Sequence, residues 1–517
     1  MTLRCAFDEP PLGGAFPVEL TVRNESGRER SFELVFTSGM PFWQGPEIES
    51  HHTVVVEAGA TRTFALVVAM GRSTTWSQAR LRVLGPGVSA DEVSLFQRNL
   101  DVGGSENPGG PSSPFAMSES LAVPNWEAIA ARLGTEGKAN AGSRFLPASL
   151  PRDGRGYAGF RLLFMTRDEW AQEGADTRQA VMDWVSLGGR LVLVGASEEP
   201  RRHGFGTVAS LGGAPAAERL AQVILDTPGW ELVASRNTRY PWALPARLQP
   251  PEIARGRLLV FLIVVALGLG PVNLFVLARG RKRHRIYWTT PLLSLAASLG
   301  LASMILVQDG TGGEGLRFTA IAVMPGTNQS AVVQEQVVRT GLLLGDAFRS
   351  VDPLRMVRLP IEAAPDFNPS RPRIVNRGDR HVGWFQSRSR EAQYLETTRP
   401  TRARVQVKGG ATPQAVSSID ATLTDLFYFD GQGRVWQATN VAVGVPARLE
   451  QSDGFPAWWD ERLQSAGPAS REHLAPLKAL PGYFYASAAA GGALETLPEV
   501  RWKQEALLYL GPTEALP

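Results

Sequence analysis

Residues Arg257–Val307 read RLLVFLIVVALGLGPVNLFVLA, then RGRKRHRIYW, then TTPLLSLAASLGLASMILV. Leu258 to Ala278 is a run of about 21 uncharged residues. At 1.5 Å per helical residue it spans a hydrocarbon core of roughly 30 Å. Thr290 to Val307 is a second, slightly shorter run. Between them stand Arg279, Arg281, Lys282, Arg283 and Arg285, with Tyr287 and Trp288 at interface depth. The stretch reads as a transmembrane helical hairpin with a basic tip. Helices this long in the core of a soluble protein would carry polar stripes, and these carry none. No ionisable residue lies inside either run, which argues against an ion pathway. Pro271 is expected to kink the first helix, and Asn273 is placed to bond its partner.

The tip sets the orientation. Short loops rich in Lys and Arg stay cytoplasmic, and five cations face on the order of 11 kcal/mol per 100 mV of opposing potential. Everything before Leu258 and after Val307 is then expected on the other side, periplasmic or extracellular, at a bacterial inner membrane. Such an arrangement calls for an export signal, and Met1 opens directly onto MTLRCAFDEPPLGG with no charged and apolar leader. A signal upstream of this start is therefore expected. A single cysteine, Cys5, excludes an internal disulfide framework and a cysteine-based metal cluster. Nearly all the positive charge is arginine, the bias of a GC-rich genome. The net charge of +3, with no basic run outside the tip, leaves no footprint for nucleic acid.

Outside the hairpin the chain divides by pattern. Residues 1–100 read as a β-sandwich: FPVELTVRN, SFELVFTSG, HTVVVEAG, TRTFALVVAM and ARLRVLG recur at strand length, separated by turn residues. His51 and His52 are neighbours on one of these strands, so they point to opposite faces and read as a surface pair. Residues 101–113 form a Gly/Pro/Ser linker. Residues 114–245 alternate strand and helix. PFAMSES, FRLLFMT and RLVLVG are strands, with a helix opening at Pro124–Asn125 and another capped by Asp176 or Thr177, so the sheet is at least partly parallel. Residues 258–278 and 288–307 are the spans, 279–287 the cytoplasmic loop, and 308–517 a β-rich C-terminal domain. There Asp430–Gly433 is a hairpin turn, FNPSRPRIVNRGDR reads as a loop, and Trp458–Trp459 as the apolar face of a packed helix. The fold class expected is multidomain α/β plus all-β with a two-helix transmembrane hairpin.

WVSLGGRLVLVG, preceded by YAGFRLLFMTRDEW, resembles the glutamine-amidotransferase-like, flavodoxin-like domains of bacterial membrane proteins of unassigned function. The GPVN at Gly270–Asn273 and the basic, aromatic and Thr-Pro residues after it resemble the same family's hairpin. The resemblance implies an N-terminal β-sandwich, this α/β domain, the hairpin and a C-terminal β domain.

An amidotransferase of that fold uses a cysteine nucleophile with a histidine, and Cys5 lies in another domain. Ser197 follows a strand with His203 nearby, but no G-x-S-x-G elbow surrounds it. Gly204–Phe–Gly206 has the outline of a dinucleotide fingerprint and follows the wrong strand for one, so it reads as a turn. A ligand cleft is placed at the strand ends, at Thr166, Asp168, Glu169, Gly195, Ser197 and Glu198, suited to a cation or sugar hydroxyls. The residues assign no catalytic group, cofactor or metal. The expected role is a non-enzymatic envelope scaffold or binding module whose partners are the lipid bilayer and an envelope protein. The alternatives are a hydrolase at the same strand ends and an accessory subunit of an ABC exporter.

Overall fold

The computed structural model describes residues 1–8, 14–38, 47–69, 79–86, 93–94, 115–135, 142–195, 198–213, 216–227, 242–248, 255–277, 280–359 and 373–516. The Asp101–Pro114 linker, Arg279 and Ser197 lie outside them.

The N-terminal strands are β1 (Thr2–Cys5), β2 (Ala15–Arg23), β3 (Arg30–Ser38), β4 (Glu47–Val56), β5 (Thr61–Ala69), β6 (Ala79–Leu84) and β7 (Val93–Ser94). β1, β2 and β5 form one sheet; β3, β4, β6 and β7 belong to another. Alternate residues face inward, so Phe16, Val18, Leu20 and Val22 of β2 meet Phe32, Leu34 and Phe36 of β3 in a common core.

The α/β region contains β8 (Phe115–Ser118), α1 (Glu119–Thr135), β9 (Gly142–Phe145), β10 (Leu162–Thr166), α2 (Arg167–Gln172), α3 (Ala175–Ser186), β11 (Arg190–Val194), β12 (Arg201–His203), β13 (Gly206–Leu211) and α4 (Ala217–Leu225). Its sheet runs β12-β13-β11-β10-β8-β9. Five strands are parallel, and β12 pairs antiparallel with β13 at the edge. Numbered by order of appearance, the parallel strands stand 2-1-3-4-5, an open doubly wound order. Leu162 and Phe164 face α1 and α4, while Leu163 and Met165 face α3.

Two local expectations need correction. α1 starts at Glu119, not at Pro124–Asn125, and Pro124 lies inside it. Burial of Leu121 and Ala122 outweighs the single backbone bond a proline forgoes, and Asn125 donates to the Leu121 carbonyl instead of capping. Gly174, not Asp176 or Thr177, is the N-cap of α3.

After α5 (Ala243–Arg247) come two long helices. α6 (Arg255–Leu267) continues as a π-helix over Gly268–Leu277, and α7 spans Ile286–Asp309. Among the described residues one helical stretch is long and apolar enough to cross a membrane: Leu258–Leu277, with mean hydropathy 2.6 and 6% of it buried. α7 lies against it. Phe261 packs over Gly300, Asn273 Nδ2 donates to Thr290 Oγ1 (2.8 Å), and Thr289 donates to Asn273 Oδ1 (2.5 Å). Among the partly buried positions of α7, 286, 290, 293, 297, 300 and 304 keep the 3–4 spacing of a helix–helix seam, with 289 beside them.

The remainder is built on β14 (Gly313–Met324), β15 (Gln329–Thr340), β16 (Ala347–Arg349), β17 (Arg355–Leu359), β18 (Arg373–Arg377), β19 (Arg380–Val382), β20 (Arg390–Pro400), β21 (Val405–Lys408), β22 (Gln414–Ser417), β23 (Leu423–Phe429), β24 (Val435–Val441), β25 (Ala447–Arg448), β26 (Glu450–Gln451), α8 (Phe455–Leu463), α9 (Pro468–Leu474), β27 (Tyr483–Ala488), β28 (Val500–Pro512) and β29 (Glu514–Ala515). Nine of these strands form one sheet, β17-β20-β15-β14-β28-β27-β23-β24-β26. One face is covered by α8, α9 and the α/β residues Leu187 and Phe205. The other meets a core that includes Ile48 of β4 and Ile374 of β18. Trp458 and Trp459 are buried against Phe455 and Tyr485, as a packed helix face.

The segment read as an arginine- and proline-rich loop contains a strand. β18 pairs in parallel with β4 of the N-terminal region, Arg373 opposite Glu47 through Arg377 opposite His51. The seven-stranded sheet β16-β19-β18-β4-β3-β6-β7 therefore combines chain from both sides of the long helices. The pairing holds because Ile374 and Asn376 point inward while Arg373 and Arg377 find carboxylates on β4 and β3.

Candidate functional site

In a doubly wound sheet the ligand crevice opens at the carboxyl ends of the strands where the order reverses. Here that point lies between β8 and β10, at Ser118 and Thr166. Thr166 Oγ1 accepts the Glu169 N–H (3.1 Å) and Glu169 Oε2 accepts the Thr166 N–H (2.8 Å), a reciprocal capping box that starts α2. Glu169 Oε1 accepts the Ser120 hydroxyl (2.7 Å), with Ser118 Oγ 3.3 Å from Ser120 Oγ. Asp168 is exposed in the first turn of α2, where its charge complements the helix dipole. Gly195 closes β11 at φ +89°, its N–H bonded to the Leu211 carbonyl. Glu198 pairs with Arg167 (3.3 Å) and Arg201 (3.8 Å) on the surface. Thr166 and Glu169 thus come together, joined by two serines that sequence reasoning did not select. Both are engaged in holding strand to helix.

Two cavities flank the segment that follows β9. One, about 660 Å³, lies between β1, β2, β5 and residues 144–153. The other, about 640 Å³, lies between that segment and the start of α3, and Arg152, Glu169, Glu173 and Asp176 line it. Burial, then the neighbouring Glu169, raises the Glu173 carboxyl above its ordinary range. An acidic groove of this kind suits a cation or a hydroxyl-rich ligand. Among the described residues no group of three or more His, Cys, Asp or Glu is arranged to hold a metal ion.

Among the described residues Cys5 is bonded to no histidine, and Ser197 lies outside them. Burial pushes the Cys5 thiol up to about 12, which keeps it protonated at neutral pH. His203 sits on β12 with its pKa lowered by burial and a buried Nε2 that bonds nothing among the described residues. Gly204 and Gly206 form the β12–β13 turn. A Cβ on Gly206 would stand 2.0 Å from the Val185 carbonyl, so only glycine fits.

The strongest polar chemistry lies elsewhere. Arg355 and Glu396 form a buried pair (2.5 Å), and Tyr394 donates to Glu396 (2.8 Å). Tyr394 has one hydroxyl hydrogen, so its 3.2 Å contact with His473 requires His473 Nε2–H as donor. His473 Nδ1 faces Gly188, where a Cβ would come within 2.3 Å. This network ties the nine-stranded sheet to the α/β region. A second network lies on the β4–β18 seam. His51 contacts Glu33 (2.9 Å) and Glu49 (3.0 Å), and Arg373 grips Glu49 with two hydrogen bonds. The histidines are thus no surface pair. His51 is held between carboxylates, and His52 turns inward to Ser50, its pKa lowered to about 4 by burial.

Compared with protein families, with curated proteins and with solved structures, the chain matches none.

Proposed function

We propose that this chain is a non-enzymatic, membrane-anchored envelope scaffold. On this reading α6 and α7 cross the bilayer as a hairpin, and the α/β region is a degenerate amidotransferase-like domain used for binding. The observation that carries the reading is the parallel pairing of β4 with β18. Chain preceding and chain following the long helices share a sheet and a core, so they occupy one side of any membrane that the helices enter. A single crossing would separate them; two crossings keep them together. The basic residues of the tip favour the cytoplasm for the turn and the opposite side for the body. Supporting a binding role over hydrolysis, Thr166 and Glu169 are engaged in a capping box and Glu198 in ion pairs. The acidic groove beside Glu169 and Glu173 is the surface through which a cation, a sugar or an envelope partner would be engaged.

Thiol accessibility in intact cells tests this. In a Cys5→Ser background, single cysteines replace Gly280 in the tip, Thr53 before the helices and Gly431 after them, all exposed. A membrane-impermeant reagent is expected to label the last two and spare the first. Labelling of the tip alone would invert the topology and move the partner search to the cytoplasm.

A further inference from the structure

Among the described residues, Leu344 is one of the most exposed large apolar side chains outside the long helices, at 84%, and its neighbour Leu342 is 39% exposed. They flank Leu343, which packs inward against the sheet core. This loop, Gly341–Gly345, is rigidly held. Leu343 N–H donates to Ser387 Oγ (3.0 Å) and Leu344 N–H to Glu499 Oε2 (3.0 Å). It is also bonded to the chain leaving α7. Leu342 N–H reaches the Gly310 carbonyl (3.0 Å), the Leu342 carbonyl accepts the Gly312 N–H (2.9 Å), and Gly341 N–H reaches the Gly312 carbonyl (2.8 Å). Gly310 directly follows the last residue of α7. The other end of the helix pair returns to the same end of the sheet, where Arg390, the first residue of β20, donates to the Pro245 and Leu248 carbonyls. The two leucines therefore stand level with the end of the long helices, where Val307 near the end of α7 is 87% exposed.

We propose that Leu342 and Leu344 insert into the interfacial layer of the bilayer leaflet nearest the body. They form a third lipid contact that fixes the tilt of the nine-stranded sheet on the membrane. The inference rests on the membrane reading above and adds to it. Hydrogen bonds fix the height of this loop to the helix terminus, so helices that cross the bilayer carry it to the headgroup level, where an exposed leucine meets lipid.

The test uses the full chain in phosphatidylcholine–phosphatidylglycerol proteoliposomes, in a Cys5→Ser background. An environment-sensitive fluorophore is attached at Leu344→Cys, at Val264→Cys in the first long helix, or at Thr327→Cys. Thr327 lies past the far end of β14, about 35 Å from its start at 3.3 Å per residue. All three positions are exposed, so labelling leaves the core intact. Expected are a blue shift and loss of emission at position 344 with lipids carrying a nitroxide near the headgroup. Position 264 is expected to lose emission with a mid-chain nitroxide, and position 327 with neither. Water-like emission at 344 while 264 is quenched overturns the proposal and leaves the membrane reading intact. Absence of quenching at 264 overturns both.

Discussion

His473 is held neutral inside the protein. Burial, then the neighbouring Arg161, lowers its pKa to about 3. Burial likewise holds His52 and His381 at about 4. In the unfolded chain each binds a proton near pH 6.5, so the stability these sites retain is fully present above that pH. It is lost as pH falls towards the folded values, at about 1.4 kcal/mol per pH unit per histidine. The urea midpoint is therefore expected to drop between pH 6.5 and 5. His473→Gln, which keeps a donor towards Tyr394, should flatten that dependence by about one histidine's share; an unchanged slope would show that His473 is already charged in the fold. Glu49 acts at lower pH. Burial would raise its carboxyl, but the hydrogen bonds from Arg373 and His51 outweigh it and hold it below the ordinary range, so its contribution disappears only under acid conditions. Arg373→Ala strands this buried carboxylate and should cost about 1–3 kcal/mol in denaturant unfolding. At this scale legibility depended on distance along the chain. Thr166 and Glu169 carry the T-x-x-E spacing of a capping box, so their structural role was readable in place. Tyr394 and Gly188 lie far in sequence from His473, and nothing local announces that they meet.

Strand patterning revealed only part of the large sheet: β15 is legible in AVVQEQVVRT in spite of its buried Gln334, Glu335 and Gln336, while the apolar β27 is not. β20 escaped notice because its buried positions include Glu391, Gln393, Glu396 and Thr397. They are tolerable there because each has a partner: Gln336 donates to Gln393 (2.7 Å) and Gln393 to the Trp384 carbonyl (3.0 Å), Arg358 donates to Glu391 Oε1 (2.7 Å), Tyr394 to Glu396 (2.8 Å), and Thr397 to the Pro353 carbonyl (2.9 Å). β18 was hidden by its arginines, whose partners lie on strands more than three hundred residues away in sequence. If β18 is a core strand, Ile374→Ala should cost about 2–5 kcal/mol, a value no surface loop would give. Calorimetric or urea unfolding checks it, and a loss under 0.5 kcal/mol would return the segment to the status of a loop. The long helices were the most legible elements, yet their contact geometry was not. Asn273 reaches Thr289 and Thr290 through a π-helical turn that follows Gly268. Asn273→Leu should weaken the helix pair by about 0.6 kcal/mol, at most about 1.7. A short bifunctional thiol reagent joining Phe261→Cys to Gly300→Cys should then react more slowly, since register is what the asparagine fixes.

At the scale of the whole molecule, the regions that the sequence divides are one folding unit. Ile48 before the helices and Ile374 after them belong to the same core, and Leu187 and Phe205 of the α/β region pack into the other face of the nine-stranded sheet. Residues 1–248 on their own would leave Ile48, Leu187 and Phe205 facing water, with the edge of β4 unpaired, a surface prone to aggregation. The helices themselves contribute little to that core, because both ends of the pair return to one end of the sheet, through Arg390 on one side and Leu342 on the other. Replacing residues 255–309 by a Gly/Ser linker of about 12 residues, with a root-mean-square span of about 20 Å, should therefore yield a water-soluble protein. Its N-terminal and C-terminal portions should unfold in one cooperative transition, with fluorescence and far-ultraviolet dichroism coincident. Residues 1–248 expressed alone should be insoluble or bind a hydrophobic dye. Two separate transitions in the linked protein, or a soluble and cooperatively folded 1–248 fragment, would mean that the β4–β18 seam does not join the halves, and that no shared sheet holds both on one side of the membrane.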